Sequence, residues 1–79
     1  MSKDFTEKEG QYLAFMYNYS KINGKPPAEW EVQLYFRVTP PTVHQMILKL
    51  ERKGFISRIP GKPRSITVLV PPKELPYLR

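Results

Sequence analysis

Nine prolines punctuate this 79-residue chain, and they fall at 26–27, 40–41, 60, 63, 71–72 and 76. Proline lacks the backbone N–H and clashes within a helix interior or a central strand, so each site marks the edge of an element. The intervals leave room for single helices or strands in one domain spanning residues 1–79. Its core is expected over about 5–70, followed by an irregular tail at 71–79. There is no cysteine, so neither a disulfide nor a thiolate metal site can support so small a core.

The first interval predicts a helix from about residue 7 to residue 22. Thr6 followed by Glu9 is a capping-box pattern, and Phe5 is placed to staple the first turn. Tyr12, Phe15, Met16 and Tyr19 recur at helical spacing, with Leu13 alongside. Gly24 supplies a left-handed stop, whereas Gly10 is a weak helix former inside the run. A second, short helix is expected over about 28–36, with Pro27 at its start. Val32, Tyr35 and Phe36 form one apolar edge and Trp30 and Leu34 another, which predicts burial on more than one side. Trp30 is read as structural, packed on the first helix or the hairpin.

The third helix has the clearest pattern. Thr39 is a candidate cap and Pro40 suits the first helical position. Val43, Met46, Ile47 and Leu50 follow the i, i+3, i+4, i+7 rule of one buried face. Thr42, Gln45, Lys49 and Arg52 lie opposite, and Gly54 closes the helix. A few residues around Arg37 and Val38 separate it from the second helix, the spacing of a helix-turn-helix. Residues 55–59 and 65–70 then read as strands, with Ile66, Val68 and Val70 on one face. The basic turn Pro60-Gly61-Lys62-Pro63-Arg64 joins them into a β-hairpin. A hairpin directly after such a helix is a wing, so the expected fold is mainly α with a small β-hairpin: a three-helix winged helix-turn-helix. A short third strand near Val38 would complete its sheet.

Charge separates along the same line. Residues 1–36 carry four basic and five acidic side chains, a net of −1. Residues 37–79 carry nine basic and two acidic, a net of +7. A basic half beside a neutral one suggests a polyanionic partner, although a few excess charges also serve solubility.

The sequence resembles the N-terminal DNA-binding domain of the LexA repressor family over about residues 5–70. The resemblance rests on Phe5-Thr6, on Gly24-Lys25-Pro26-Pro27 before the second helix, and on Thr39-Pro40 opening the third. Leu50-Glu51-Arg52-Lys53-Gly54-Phe55-Ile56 extends it into the wing. This last segment is shared more distantly with MarR-like winged helices. Where the family's base-reading helix continues with an asparagine and glutamates, this chain has Pro41, Thr42, His44 and Gln45. The resemblance therefore implies a fold and a docking mode.

The residues themselves support that mode. The major groove admits a helix and displays a distinct donor and acceptor pattern for each base pair. Thr42, His44 and Gln45 are the candidates for base contact. Thr39, Lys49, Arg52, Arg58, Lys62 and Arg64 are the candidates for the DNA backbone. The third helix's N-terminus favours a phosphate. The expected function is sequence-specific double-stranded DNA binding in a small transcriptional regulator, with a homodimer on two half-sites. The alternative is a winged-helix protein-docking module, using Tyr17 of the first helix or Leu75, Tyr77 and Leu78 of the tail. An exposed basic face on the third helix favours DNA; an apolar one favours docking. His44 is the sole histidine and has no ligand cluster around it, so no metal, cofactor or catalytic role is expected. The polar residues 1–9 do not form a signal peptide, no apolar run could span a membrane, and no small-molecule ligand is indicated. A cytoplasmic setting is expected.

Overall fold

A computed structural model describes residues 5–79. Three helices, α1 (Glu7–Asn23), α2 (Glu29–Phe36) and α3 (Pro40–Arg52), precede two short strands, β1 (Ile56–Ser57) and β2 (Thr67–Val68). The strands pair antiparallel, Ile56 opposite Val68 and Ser57 opposite Thr67. The order and the hairpin are those of a winged helix-turn-helix. Among the described residues no helix is long and apolar enough to cross a membrane.

Helix α1 starts where its capping box requires. Glu9 N–H donates to Thr6 Oγ1 at 3.1 Å and Thr6 N–H to Glu9 Oε1 at 2.9 Å. Gly24, at φ 73°, ends the helix in the left-handed region that glycine enters without steric cost. Gly10 is also explained. A Cβ there would lie 2.9 Å from the Phe5 ring and 3.1 Å from Pro76, so glycine lets the staple and the tail close over the first turn. Phe5 meets Phe55 edge to face, with centroids 5.7 Å apart.

The core joins Tyr12, Leu13, Phe15 and Met16 of α1 to Val32 of α2, Val43, Ile47 and Leu50 of α3, and Ile56 and Ile66 of the wing. Each fully buried aliphatic side chain contributes roughly 1.5–3 kcal/mol. Met46 is only partly buried, at the edge of the α3 stripe. Tyr12 stacks on Phe36 with centroids 4.0 Å apart. Its hydroxyl is buried without a hydrogen-bond partner among the described residues, and burial pushes its pKa up.

Helix α2 departs from expectation. Val32 and Phe36 turn inward, but Trp30 is 57% and Leu34 63% exposed. Eight residues make little more than two turns, and one buried stripe is enough to hold them. Trp30 is thus a surface residue, not a packing one. The strands are also shorter than the apolar runs. Ser65 Oγ accepts from Ile59 N–H at 3.0 Å and donates toward Lys62 O at 2.8 Å, replacing ladder bonds near the tip. Ile66, Val68 and Val70 still face inward, while Thr67 and Leu69 are exposed. No third strand forms at Val38 among the described residues; its N–H donates to Gln33 O at the end of α2.

The tail makes one 3₁₀ turn, Pro72–Glu74, and then folds back along α1. The Gln11 side-chain amide donates to Tyr77 O and accepts from Arg79 N–H, each at 2.9 Å. Leu75 and Leu78 pack on the core, but Tyr77 is 96% exposed and does not dock.

Candidate nucleic-acid interface

Helix α3 begins with two prolines, so of its first three residues only Thr42 has an N–H. The Thr39 side chain accordingly makes no cap bond, although its backbone has the extended geometry of a cap. Its hydroxyl pairs instead with that of Thr42 at 2.9 Å, and Val43 N–H bonds Thr39 O. The phosphate site expected at this terminus is reduced to one donor, because an anion site draws on several free N–H groups.

At about 3.6 residues per turn, the outward direction of α3 carries Pro41, Gln45, Leu48 and Arg52. Thr42, Gln45 and Arg52 are exposed, and Leu48 is half-buried. Thr42, Gln45 and Arg52, together with Met46 and Lys49, border an open groove along the helix. His44 is exposed on the flank toward α2, where Nδ1 lies 3.3 Å from Glu29 Oε1. Thr42, Gln45 and Arg52 are thus brought together, and His44 is turned aside.

The cations divide by partner. Lys49 and Lys53 reach back from α3 and its C-terminal turn to Glu9, at 3.0 and 3.1 Å, although Glu9 itself is fully buried. Burial pushes the Glu9 carboxyl up. The Thr6 N–H and the two ammonium groups outweigh that and hold it down at about 2. Arg58 Nε bonds Glu51 at 3.0 Å, pinning β1's end to α3.

Arg64 does not project from the wing tip. Its guanidinium donates to Glu31 at 2.7 Å, and to Tyr19 Oη and Pro26 O at 3.3 Å. Glu31 also accepts from Ala28 N–H at 2.8 Å and from the Tyr19 hydroxyl at 2.7 Å. The Arg64 guanidinium, then the Ala28 N–H, hold the Glu31 carboxyl at about 2. One carboxylate so joins α1, the start of α2 and the wing. The tip itself is a tight turn in which Lys62 N–H bonds Ile59 O at 3.0 Å, with Gly61 at φ 79°. Pro60 followed by a left-handed glycine is the sequence of a type II turn. Lys62 at this turn and Arg52 on α3 have no acidic partner among the described residues.

Sequence reasoning missed Glu9, Glu29, Glu31 and the exposed Trp30. The capping-box position marked Glu9 as structured, but nothing local marked its partners 40 or more residues away. The acids of α2 carried no such signal.

Helix-turn-helix, hairpin and an exposed polar recognition face together define a winged helix-turn-helix domain. The family model described as LexA DNA binding domain matches residues 2–65, and the chain belongs to that family. It is 39% identical over 66 residues to the LexA repressor of Thermotoga petrophila, covering 84% of this chain and 34% of that protein. It is 34% identical over 73 residues to the LexA repressor of Thermosipho africanus, covering 92% of this chain and 37% of that protein. For the LexA repressor of Bartonella quintana the identity is 32% over 73 residues, covering 91% and 31%. The chain thus spans about a third of the length of these curated relatives.

Proposed function

We propose that this domain binds duplex DNA by laying α3 in the major groove and the wing along the backbone, as the DNA-binding part of a cytoplasmic transcriptional regulator. The observation that carries the reading is the solvent face of α3. It presents Thr42, Gln45 and Arg52 where a docking module would present an apolar patch. Membership of the LexA DNA-binding domain family and the repressor names of the relatives support it. In this reading Gln45 and Thr42 read bases: glutamine can bond adenine in two places, and threonine offers a hydroxyl and a methyl suited to thymine. His44 lies at the edge of the reading face. Arg52 and Lys62 supply the main phosphate contacts. Thr39, Lys49, Arg58 and Arg64 lie within or beside the footprint but are already bonded within the protein. Two copies bind half-sites about one helical turn apart.

Selection of bound duplexes from a random pool tests the reading. An enriched motif, with tighter binding than to random duplex, is the expected outcome. Failure to enrich any motif, with no binding even at low salt, would remove it. A footprint confined to a single half-site at saturating protein would remove the dimer.

A further inference from the structure

Trp30 is the chain's only tryptophan, and more than half of its surface faces solvent. An indole offers a large apolar area and one N–H donor, a combination used where one side of a contact is apolar and the other wet. Trp30 stands in the first turn of α2, one residue after Glu29, which touches His44 of α3. The start of α2 and the wing enclose a cleft of ≈ 380 Å³, bordered by Glu29, Trp30, Arg58, Lys62 and Arg64. Glu51 and Glu31 hold the two arginines, and Lys62 has no acidic partner among the described residues. The cleft therefore pairs an aromatic wall with one uncommitted cation, its one lining acid, Glu29, being turned to His44, and it lies between the start of α2 and the wing.

We propose that this cleft grips the sugar-phosphate strand of the duplex. The strand concerned is the one separating the groove entered by α3 from the groove beneath the wing. A protein that straddles two grooves must cross that strand, and the strand alternates apolar deoxyribose faces with anionic phosphates. The Trp30 ring packs on a deoxyribose while its Nε1–H donates to the adjoining phosphate, and Lys62 pairs with a neighbouring one. The contact carries no sequence information, so it holds any duplex equally. It rests on the DNA-binding reading and adds a gripping residue that helix three and the wing tip do not supply.

The sole tryptophan is its own reporter. A labelled duplex is titrated with the full chain while label anisotropy and Trp30 emission are followed together, with acrylamide as quencher. The expected result is a severalfold drop in quencher access that tracks the anisotropy. Trp30→Ala should weaken binding to selected and random duplexes alike by about tenfold, equivalent to roughly 1.4 kcal/mol, without changing the salt slope. Trp30→Phe, which keeps a ring but no donor, should fall between. Because the side chain is exposed, thermal melts of both variants should match the parent. Saturating anisotropy with unchanged quencher access, or an unchanged affinity in Trp30→Ala, overturns the proposal while leaving DNA binding intact. Protection of Trp30 that follows protein concentration without DNA assigns the cleft to a second copy and overturns it too. No anisotropy change with any duplex overturns both readings.

Discussion

Along the seam where α1 meets α3 and the wing, cations turn inward. Lys49 and Lys53 converge on buried Glu9, and Arg64 on Glu31. On the outer rim, Arg52 and Lys62 face solvent with no acid beside them among the described residues. Both sets belong to the same basic half of the sequence and count equally toward its charge. They differ in what their removal should disturb. Seam cations satisfy carboxylates that tie the recognition helix and the wing to α1, so they set how rigidly the reading surface is held. Rim cations are available to phosphates. A charge count gives an upper bound on ionic affinity, and ion pairing within the fold lowers it.

Acid should expose the seam first, with the largest effect. Glu9 and Glu31 are held at about 2, below their ordinary value of 4.5. As pH falls the unfolded chain therefore binds protons before the folded one does. The stabilisation is complete above about pH 4.5 and is lost between there and pH 2. For Glu9 alone it is on the order of a few kcal/mol. Urea midpoints should fall steeply from pH 6 to pH 3, and Glu9→Gln should be less stable at pH 6 with a shallower pH dependence. Equal midpoints at the two pH values would show that the seam carries no such linkage.

Base reading comes next. Gln45→Ala should cost roughly 1–3 kcal/mol on the selected duplex if its contact is bidentate, and leave random duplex unaffected. Equal weakening on both would mean that Gln45 holds but does not read.

The ionic terms follow. Each phosphate contact contributes about −0.9 to the slope of log K against log salt. Arg52→Ala combined with Lys62→Ala should flatten the slope by up to about two units at an unchanged melting temperature. Arg64→Ala should do the reverse, lowering the melting temperature while sparing the slope. A flattened slope in Arg64→Ala would move that residue from the seam to the rim.

The backbone plan was legible because its signals are local. Prolines, the Thr6–Glu9 box, Gly24 and the Val43–Ile47–Leu50 stripe each act within a few residues, and α1 and α3 begin and end within a residue or so of their expected limits. The side to which α2 turns Trp30 and Leu34 was not legible, since a helix of two turns cannot display a period clearly. Nor were the partners of Glu9 and Glu31, which lie 12 to 44 residues away in sequence across the Tyr19, Lys49, Lys53 and Arg64 contacts and depend on tertiary packing. The candidate readers came from the face opposite the core stripe. Periodicity could place His44 near that face but could not foresee Glu29 beside it.

Two arginines make the finest comparison of seam and rim. Arg37, where the turn lacks the usual glycine, caps α2 at φ 57°, and Arg64 sits in the wing at φ 55°. Left-handed geometry costs an ordinary L-residue roughly 1–2 kcal/mol. Glycine would relieve that cost, against about 0.5–1 kcal/mol of added chain entropy in the unfolded state. Arg37 is exposed, and no hydrogen bond or ion pair of its side chain is present among the described residues. Arg37→Gly should then be stabilising by about 0.5 kcal/mol, the difference between these two opposing effects. The same relief at residue 64 removes the bonds to Glu31, Tyr19 and Pro26, so Arg64→Gly should be destabilising. Thermal melts of the two variants at pH 7 and again at pH 3 distinguish the causes. The Arg37→Gly gain should persist at both, because backbone relief does not titrate. The Arg64→Gly loss should shrink at pH 3, because there Glu31 of the unfolded chain, at its ordinary value of 4.5, is already protonated and less of the ion pair's stabilisation remains to be lost. Losses of the same size at both pH values would mean that Arg64 acts through packing, and the wing would then be held to α1 without help from its charge.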